Sequence, residues 1–357
     1  MDAARPDAAG RRPTLAVIGG GTGLSVLLRG LKHEVGQRLG ALTAVVTVAD
    51  DGGSSGRLRR TFGVLPPGDI RNCLVSLADD EDLLARLFQY RFGSGEGLSG
   101  HSFGNLFLTA LTEVTGGDFY RAVLTAEKVL SVRGRIVPAT LADVRLRGLG
   151  ASGRTYEGES AVGRSGEPLA RLSLEPADAE AFAPAVEALR DADLIVLGPG
   201  SLYTSILPNL LIPGIRDAVA ARRGRCVLAL NLMTQPGETT AMDAAAHIDA
   251  IHDHVGPLVD VALVHAGPLP ADVLARYAQT GARPVRVDRD AIAKRGVAVA
   301  AHHLLDASDD LIRHDPAHLC RAVLDLLSWN GVKEADDDAE NHRTNLIDRP
   351  GHAAGIA

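Results

Sequence analysis

The amino-acid sequence predicts an α/β fold, a doubly wound and mostly parallel sheet with a small antiparallel β insertion. Continuous apolar runs alternate with stretches of helical periodicity along most of the chain, as parallel strands covered on both faces require. Residues about 129–175 break that pattern with short, polar-alternating runs separated by glycine, which read as antiparallel strands with one wet face. A glycine cluster between the first apolar run and the first helix marks where such a sheet would meet a ligand.

The elements follow in order. Residues 1–12 are small, polar and proline-containing and read as a disordered lead. TLAVIG (14–19) and ALTAVVTV (41–48) are strand-like and flank a helix whose leucines 24, 27, 28 and 31 share one face. Later strand-like runs are DLIVLG (193–198), RCVLALN (225–231), VDVALVH (259–265) and RPVRVD (283–288). Residues 333–357 are acidic, lack apolar periodicity and read as a disordered tail. One α/β domain over 13–332, carrying the insertion, is therefore expected.

Composition narrows the function. Hydrophobic residues make up 46% and aromatics 4%, so the core is built from Leu, Val and Ala. The net charge of −7 argues against a nucleic-acid partner, which selects a basic face. Cys73, Cys226 and Cys320 stand far apart in apolar surroundings, without CxxC spacing, which suggests a reducing compartment. The N-terminus has no apolar signal core, and no run is long enough to span a membrane. The cytoplasm is the expected setting.

In VIGGGTGLS the glycines let the backbone turn sharply and let a bulky anion approach the main chain. The following helix start offers free N–H groups and a positive dipole end. Gly20, Gly21, Thr22 and Gly23 are thus candidate phosphate contacts. Val26 interrupts a full G-x-G-x-x-G and no Gly-Lys-Ser/Thr follows, so the loop does not specify a dinucleotide and argues against an NAD(P)-dependent oxidoreductase. A tight turn without ligand is the plain alternative.

The second strand ends in VADDGGSSGRLRR. Asp50 and Asp51 can hold Mg²⁺, accept ribose hydroxyls or position a proton. Gly52 and Ser54 offer further donors. In PPGDIRNCL, Asp69 begins an apolar helix and is also an ordinary N-cap type. Arg71 and Asn72 lie in that helix's first turn, where the dipole disfavours a cation, so Arg71 should have a partner, Asp50/Asp51 or a ligand anion. In GHSFGNLFLTAL, His101 and Asn105 are four apart and Asn105 can reach a phosphate or sugar. Gly198, Gly200 and Ser201 in LGPGSLYTSIL form a second candidate anion nest. Asn231 ends another strand, where it can read a base or sugar edge, and Glu238 reads as opening a helix beyond it. HIDAIHDHVG (247–256) places His252 and His254 on different helix faces, which disfavours a metal site there.

Together with LFQYRF and NLMTQPGET, these motifs resemble the YvcK-type gluconeogenesis factors of the wider CofD-like superfamily, over roughly residues 14–330. The resemblance implies a CofD-like domain of Rossmann-type topology. It implies a cytoplasmic factor that binds UDP-sugars, notably UDP-N-acetylglucosamine, and is needed for normal cell shape on gluconeogenic carbon sources. The superfamily's namesake is a Mg²⁺-dependent transferase that moves phospholactate from a nucleotide diphosphate carrier to a deazaflavin. By the resemblance, Thr22 and its loop contact the diphosphate, Tyr277 stacks on the uracil and Arg313 pairs with the diphosphate. Without it, Tyr277 reads as a helix-face core residue and Arg313 as a solvated charge. Pro316 stands where some relatives carry a hydroxyl residue, so phosphorylation there does not carry over.

The leading expectation is a nucleotide-sugar-binding factor linking metabolism to cell-wall synthesis, with no catalytic residue of its own. Cell-wall synthesis or regulatory proteins and a homodimer are the partners left open. The alternative is a phospholactate-transferase-like enzyme with Asp50, Asp51 and Asp69 catalytic and Asp50 and Asp51 on Mg²⁺.

Overall fold

The computed structural model describes residues 10–79, 81–306 and 311–329; residues 1–9 of the lead and the whole 333–357 tail lie outside the described residues. Strands β1 (Thr14–Gly19), β2 (Ala41–Val46) and β3 (Arg135–Pro138) are followed by β4 (Arg145–Gly150), β5 (Thr155–Glu157) and β6 (Leu169–Glu175). Then come β7 (Leu194–Leu197), β8 (Arg225–Ala229), β9 (Val261–His265) and β10 (Ala298–His302). Seven of them form one sheet in the order β10-β9-β8-β7-β1-β2-β3, every pair parallel. The chain builds outward from β1 to β3, then returns beside β1 and builds the other way, so the order reverses between β1 and β7.

Both faces of this sheet are buried, which is why its strands read as unbroken apolar runs. Leu15 and Val17 enter the core on one face, Ala16 and Ile18 the core on the other. Helix α1 (Gly21–Leu31) packs Leu24, Leu27, Leu28 and Leu31 against the first of these, all fully buried. At about 1.5–3 kcal/mol per buried leucine, this face fixes where α1 begins and so where its free N–H groups point. Helices α2 (Gly53–Phe62), α3 (Gly68–Leu77), α4 (Glu81–Gln89) and α5 (Phe103–Val114) follow β2 in sequence.

The antiparallel segment forms a three-stranded sheet, β5-β4-β6, over residues 145–175, with β4 alternating exposed and buried. Its expected range began too early, because Arg135–Pro138 is the parallel edge strand of the main sheet. Residues 283–288 are not a strand either. Pro284 has no N–H to give a ladder, and Val285 N–H and Arg286 C=O bond loop and helix backbone at Leu232 and Ala244. The last sheet strand is Ala298–His302, whose small residues carry a weaker strand signal. Among the described residues no helix is long and apolar enough to cross a membrane. The three cysteines are free and buried.

Candidate functional site

A cleft of about 520 Å³ opens beside the ends of β1 and β7, where the strand order reverses. Open α/β sheets collect ligands at this point. Gly20, Gly21, Thr22 and Gly23 form one wall. A Cβ on Gly20 would sit 2.3 Å from Asp69 Oδ2, and one on Gly23 would sit 2.5 Å from the Pro199 carbonyl oxygen. Gly21 has φ +63°, in the left-handed region, with only Ser205 Oγ, at 3.9 Å, near a would-be Cβ. Two of these glycines are thus required by close protein packing and one by its backbone conformation.

Helix α1 starts with no side-chain cap. The Gly21 N–H bonds the Asp69 carboxylate, while the other first-turn amides lack intrahelical acceptors, as at any helix start. Thr22 is exposed at the entrance.

The β2 end of the cleft is acidic. Asp50, Asp69 and Glu159 line it. Burial, then the charge of Asp50, raises the Asp69 carboxyl to about 7. Glu159 rises to about 7 through burial and the neighbouring carboxylates, Asp50 foremost. Asp50 Oδ1 accepts the Gly52 N–H at 2.8 Å, and a Cβ on Gly68 would lie 2.9 Å from its Oδ2, so α3 can start beside it only on a glycine. Asp51 differs from its neighbour. It is not part of the cleft wall, and its Oδ1 accepts the Ser160 N–H at 3.0 Å, which ties β2 to the insertion 109 residues away.

The second glycine loop forms the opposite wall with Gly200, Ser201, Thr204 and Ser205. Its polar groups are largely satisfied by protein. Asn231 clamps one residue from both sides: Gly200 N–H donates to its Oδ1 at 3.1 Å, and its Nδ2 donates to the Gly200 carbonyl at 2.7 Å. Ser201 caps the turn of π-helix Leu202–Ile206, accepting from Thr204 N–H, and donates to buried Glu238. Glu238 also accepts the Tyr203 N–H at 2.8 Å. The expected second anion nest is therefore already filled by Glu238. Gly198, at φ +76°, lies against Ile206 and not on the cleft. Glu238 opens no helix; the next one, Ala244–Val255, is capped by Asp243.

Other expected contacts form a polar network beside the cleft. Arg71 bonds Ser102 Oγ at 2.7 Å, Asn105 Oδ1 at 3.1 Å and Asn72 Oδ1 at 2.8 Å; the expected partner Asp50 acts on it through charge, together with Asp69, and not through a hydrogen bond. Asn105 also donates to Ser55 Oγ at 3.3 Å. His101 precedes the N-cap of α5 and sits between Ser54 Oγ at 2.9 Å and Arg57 Nε at 3.1 Å. Arg57 donates to Nε2, so Nδ1 carries the ring proton toward Ser54. Burial and the arginine charges lower its pKa, and the ring is neutral. Gly52, Ser54, Asn72, His101 and Asn105 are absent from the cleft wall; they set α2, α3 and α5 around Asp50.

Leu305–Asp306 pairs antiparallel with Arg313–His314, which brings Arg313 onto the cleft. Its guanidinium is exposed and has no hydrogen bond or ion pair to another described residue. Tyr277 is not on the wall; its hydroxyl accepts the Ile312 N–H at 3.2 Å and so supports the neighbouring hairpin. Besides Thr204 and Ser205, further polar contributors escaped sequence reading. Glu159 arrives from the insertion, Gln235 from the loop after β8, and His314 beside Arg313. Burial pushes His314 down to about 4, so it is neutral. Among the described residues no three His, Cys, Asp or Glu side chains are grouped to hold a metal ion. His254 accepts the Leu172 N–H at 2.8 Å and joins its helix to β6.

Comparison with known proteins agrees with this architecture. A family model described as 2-phospho-L-lactate transferase CofD matches residues 15–305. A relative from Nostoc sp. is 51% identical over 324 residues, covering 90% of this chain and 69% of its own. The gluconeogenesis factor of Bacillus subtilis is 46% identical over 319 residues, 89% of this chain and 99% of that protein. A crystal structure of a UPF0052 family member from Bacillus halodurans superposes with a TM-score of 0.83 at 47% identity, covering 88% of this chain and 100% of that one.

Proposed function

The chain belongs to the CofD family, among relatives named gluconeogenesis factors, and on that premise we propose that it is a nucleotide-sugar-binding factor. The ligand we assign is UDP-N-acetylglucosamine. Its diphosphate lies over the Thr22 and Gly23 amides and pairs with Arg313, and sugar hydroxyls donate to Asp50 and Glu159. Occupancy reports precursor supply to cell-wall synthesis in the cytoplasm, which accounts for a role in cell shape and in growth on gluconeogenic carbon.

One observation carries the reading: the start of α1, whose N-cap Gly20 has no side chain to cap it, faces across the switch-point cleft a guanidinium with no hydrogen bond or ion pair to another described residue. Both favour an anion, and a bidentate arginine suits phosphate oxygens. Calorimetric titration with a panel of UDP-sugars tests it. Saturable heat with UDP-N-acetylglucosamine, reduced about 10- to 100-fold in affinity by Arg313→Ala, is expected from the loss of one charged contact. No heat with any UDP-sugar sinks the proposal.

The acidic end of the cleft favours a second reading, a transferase acting on a nucleotide diphosphate. Asp50 and Asp69 suit Mg²⁺ of the kind held by one or two carboxylates plus substrate phosphates. The ion would neutralise charge on the diphosphate leaving group. Release of nucleotide from donors in the presence of Mg²⁺ and cell extract, abolished by Asp50→Asn, would replace the first reading with this one.

A further inference from the structure

A separate cavity, of about 470 Å³, lies where helices α2 and α5 end and α6 (Phe119–Val129) begins, and none of its lining residues lines the switch-point cleft. Leu58 and Phe62 are four apart on α2 and share a face. Leu58 is buried, but α2 stops at Gly63, left-handed at φ +67°, before that face is covered, and Phe62 is left 53% exposed. Leu141, between β3 and β4, lines the same cavity and is 42% exposed. Val64 and Phe119, both buried, complete its apolar wall. Exposed apolar groups gathered at one place and rimmed by polar residues mark an interaction surface.

The rim is acidic. Glu113, Asp118 and Asp143 line the cavity, and no Lys or Arg does among the described residues. Two of these carboxylates are spent on the protein: Asp143 pairs with Arg59, and Asp118 caps α6 by accepting the Arg121 N–H at 2.9 Å. Glu113 is exposed and has no hydrogen bond or ion pair to another described residue. It also stands in the last turn of α5, which carries no basic residue. The negative end of the helix dipole disfavours a carboxylate there and favours a cation. A cation docked beside Glu113 would offset both its charge and the helix end.

We propose that this cavity docks a basic segment of a partner protein, with an apolar side chain of the partner against Phe62 and Leu141 and a neighbouring Lys or Arg on Glu113. Charge complementarity selects that partner. Glu113 and its acidic neighbours repel an acidic segment, and a twofold contact between copies would set this rim against itself. A small ligand within the cavity would leave the outer side of Phe62 in water, whereas a protein surface covers it. The surface stands apart from the nucleotide-sugar reading and does not depend on it.

The test pans a displayed library of random peptides on the full chain and measures the enriched peptides by calorimetry. They are expected to share an apolar residue flanked by Lys or Arg. Phe62→Ser and Glu113→Lys should each weaken them about tenfold, as the loss of an aromatic anchor or a charged contact does. Both positions are exposed, and Leu141→Ser on the same wall serves if Phe62→Ser fails to fold. Enriched peptides that are acidic or uncharged, peptides that bind the folded variants as they bind wild type, or no enrichment at all overturns the proposal. A concentration-dependent dimer in sedimentation that Phe62→Ser disperses gives this face to a second copy and overturns it as well.

Discussion

The two glycine loops at the switch point look alike in sequence and differ in state. Each follows a parallel strand and each turns into helix within a few residues. The first leaves α1 uncapped, with a single carboxylate, Asp69, on its Gly21 amide. The second spends its donors on Asn231 and Glu238. They also touch, since Gly23 has no room for a side chain against the Pro199 carbonyl. A glycine-rich βα turn is therefore not in itself an anion site. What decides is whether protein acceptors already occupy the amides; under the function proposed above, the first loop is the binding wall and the second its buttress.

The comparison breaks most readily at Glu238. Glu238→Ala leaves the buried Tyr203 amide and the Ser201 hydroxyl without their acceptor. Unsatisfied buried groups cost about 1–3 kcal/mol each, so a loss of roughly 3 kcal/mol in urea unfolding is expected. Glu238→Gln keeps an acceptor and should lose less than about 1 kcal/mol. UDP-sugar affinity of the folded Glu238→Ala protein should stay near wild type. A large affinity loss with unchanged stability would show that the second loop, not the first, is the binding wall.

Asp69 sharpens the contrast through pH. Its carboxyl stands at about 7 in the folded chain against 3.8 for a free aspartate side chain. The folded state thus holds a proton that the unfolded chain releases, and stability falls as pH rises from about 4 to about 7. Asp69→Asn should flatten that fall in thermal melts, and the remaining slope belongs to Glu159, raised for similar reasons. Binding follows the same sign. Above pH 7 the Asp69 charge opposes a phosphate at the same amides. Without Mg²⁺, wild-type affinity for UDP-N-acetylglucosamine should therefore drop between pH 6 and pH 8, while Asp69→Asn holds it, about tenfold tighter than wild type at pH 8. Equal affinities for the two proteins at both pH values would remove Asp69 from the anion site.

The first half of the fold was legible because its signals are local. The leucines of α1 and the apolar run of β1 declare their partners by spacing alone. The β2 aspartates were legible as a pair but not as individuals. Asp50 faces the cleft and Asp51 holds Ser160, a difference created by the insertion folding back from 109 residues away. Glu159 was invisible for the same reason, as it is an ordinary surface-type residue until β4–β6 carry it to the cleft. The second loop misled because its glycines and Ser201 fit an anion nest, while the acceptor that fills it, Glu238, lies 37 residues further on. Strand β10 was missed because Ala298–His302 is mostly alanine and carries little β signal.

The smallest expected effect separates conformation from contact within the first loop. Gly21 is left-handed and has only Ser205 Oγ, at 3.9 Å, near a would-be Cβ. Gly21→Ala therefore meets no clash and carries only the left-handed penalty, about 1–2 kcal/mol. Its methyl group would stand on the cleft wall, where the proposed diphosphate comes close to the amides. Urea unfolding should register that modest loss, and calorimetry should register a further weakening for UDP-N-acetylglucosamine that exceeds the fraction unfolded. If affinity in the folded protein is unaltered, the ligand does not approach the main chain at Gly21, and its left-handed turn serves only to bring α1 onto Asp69.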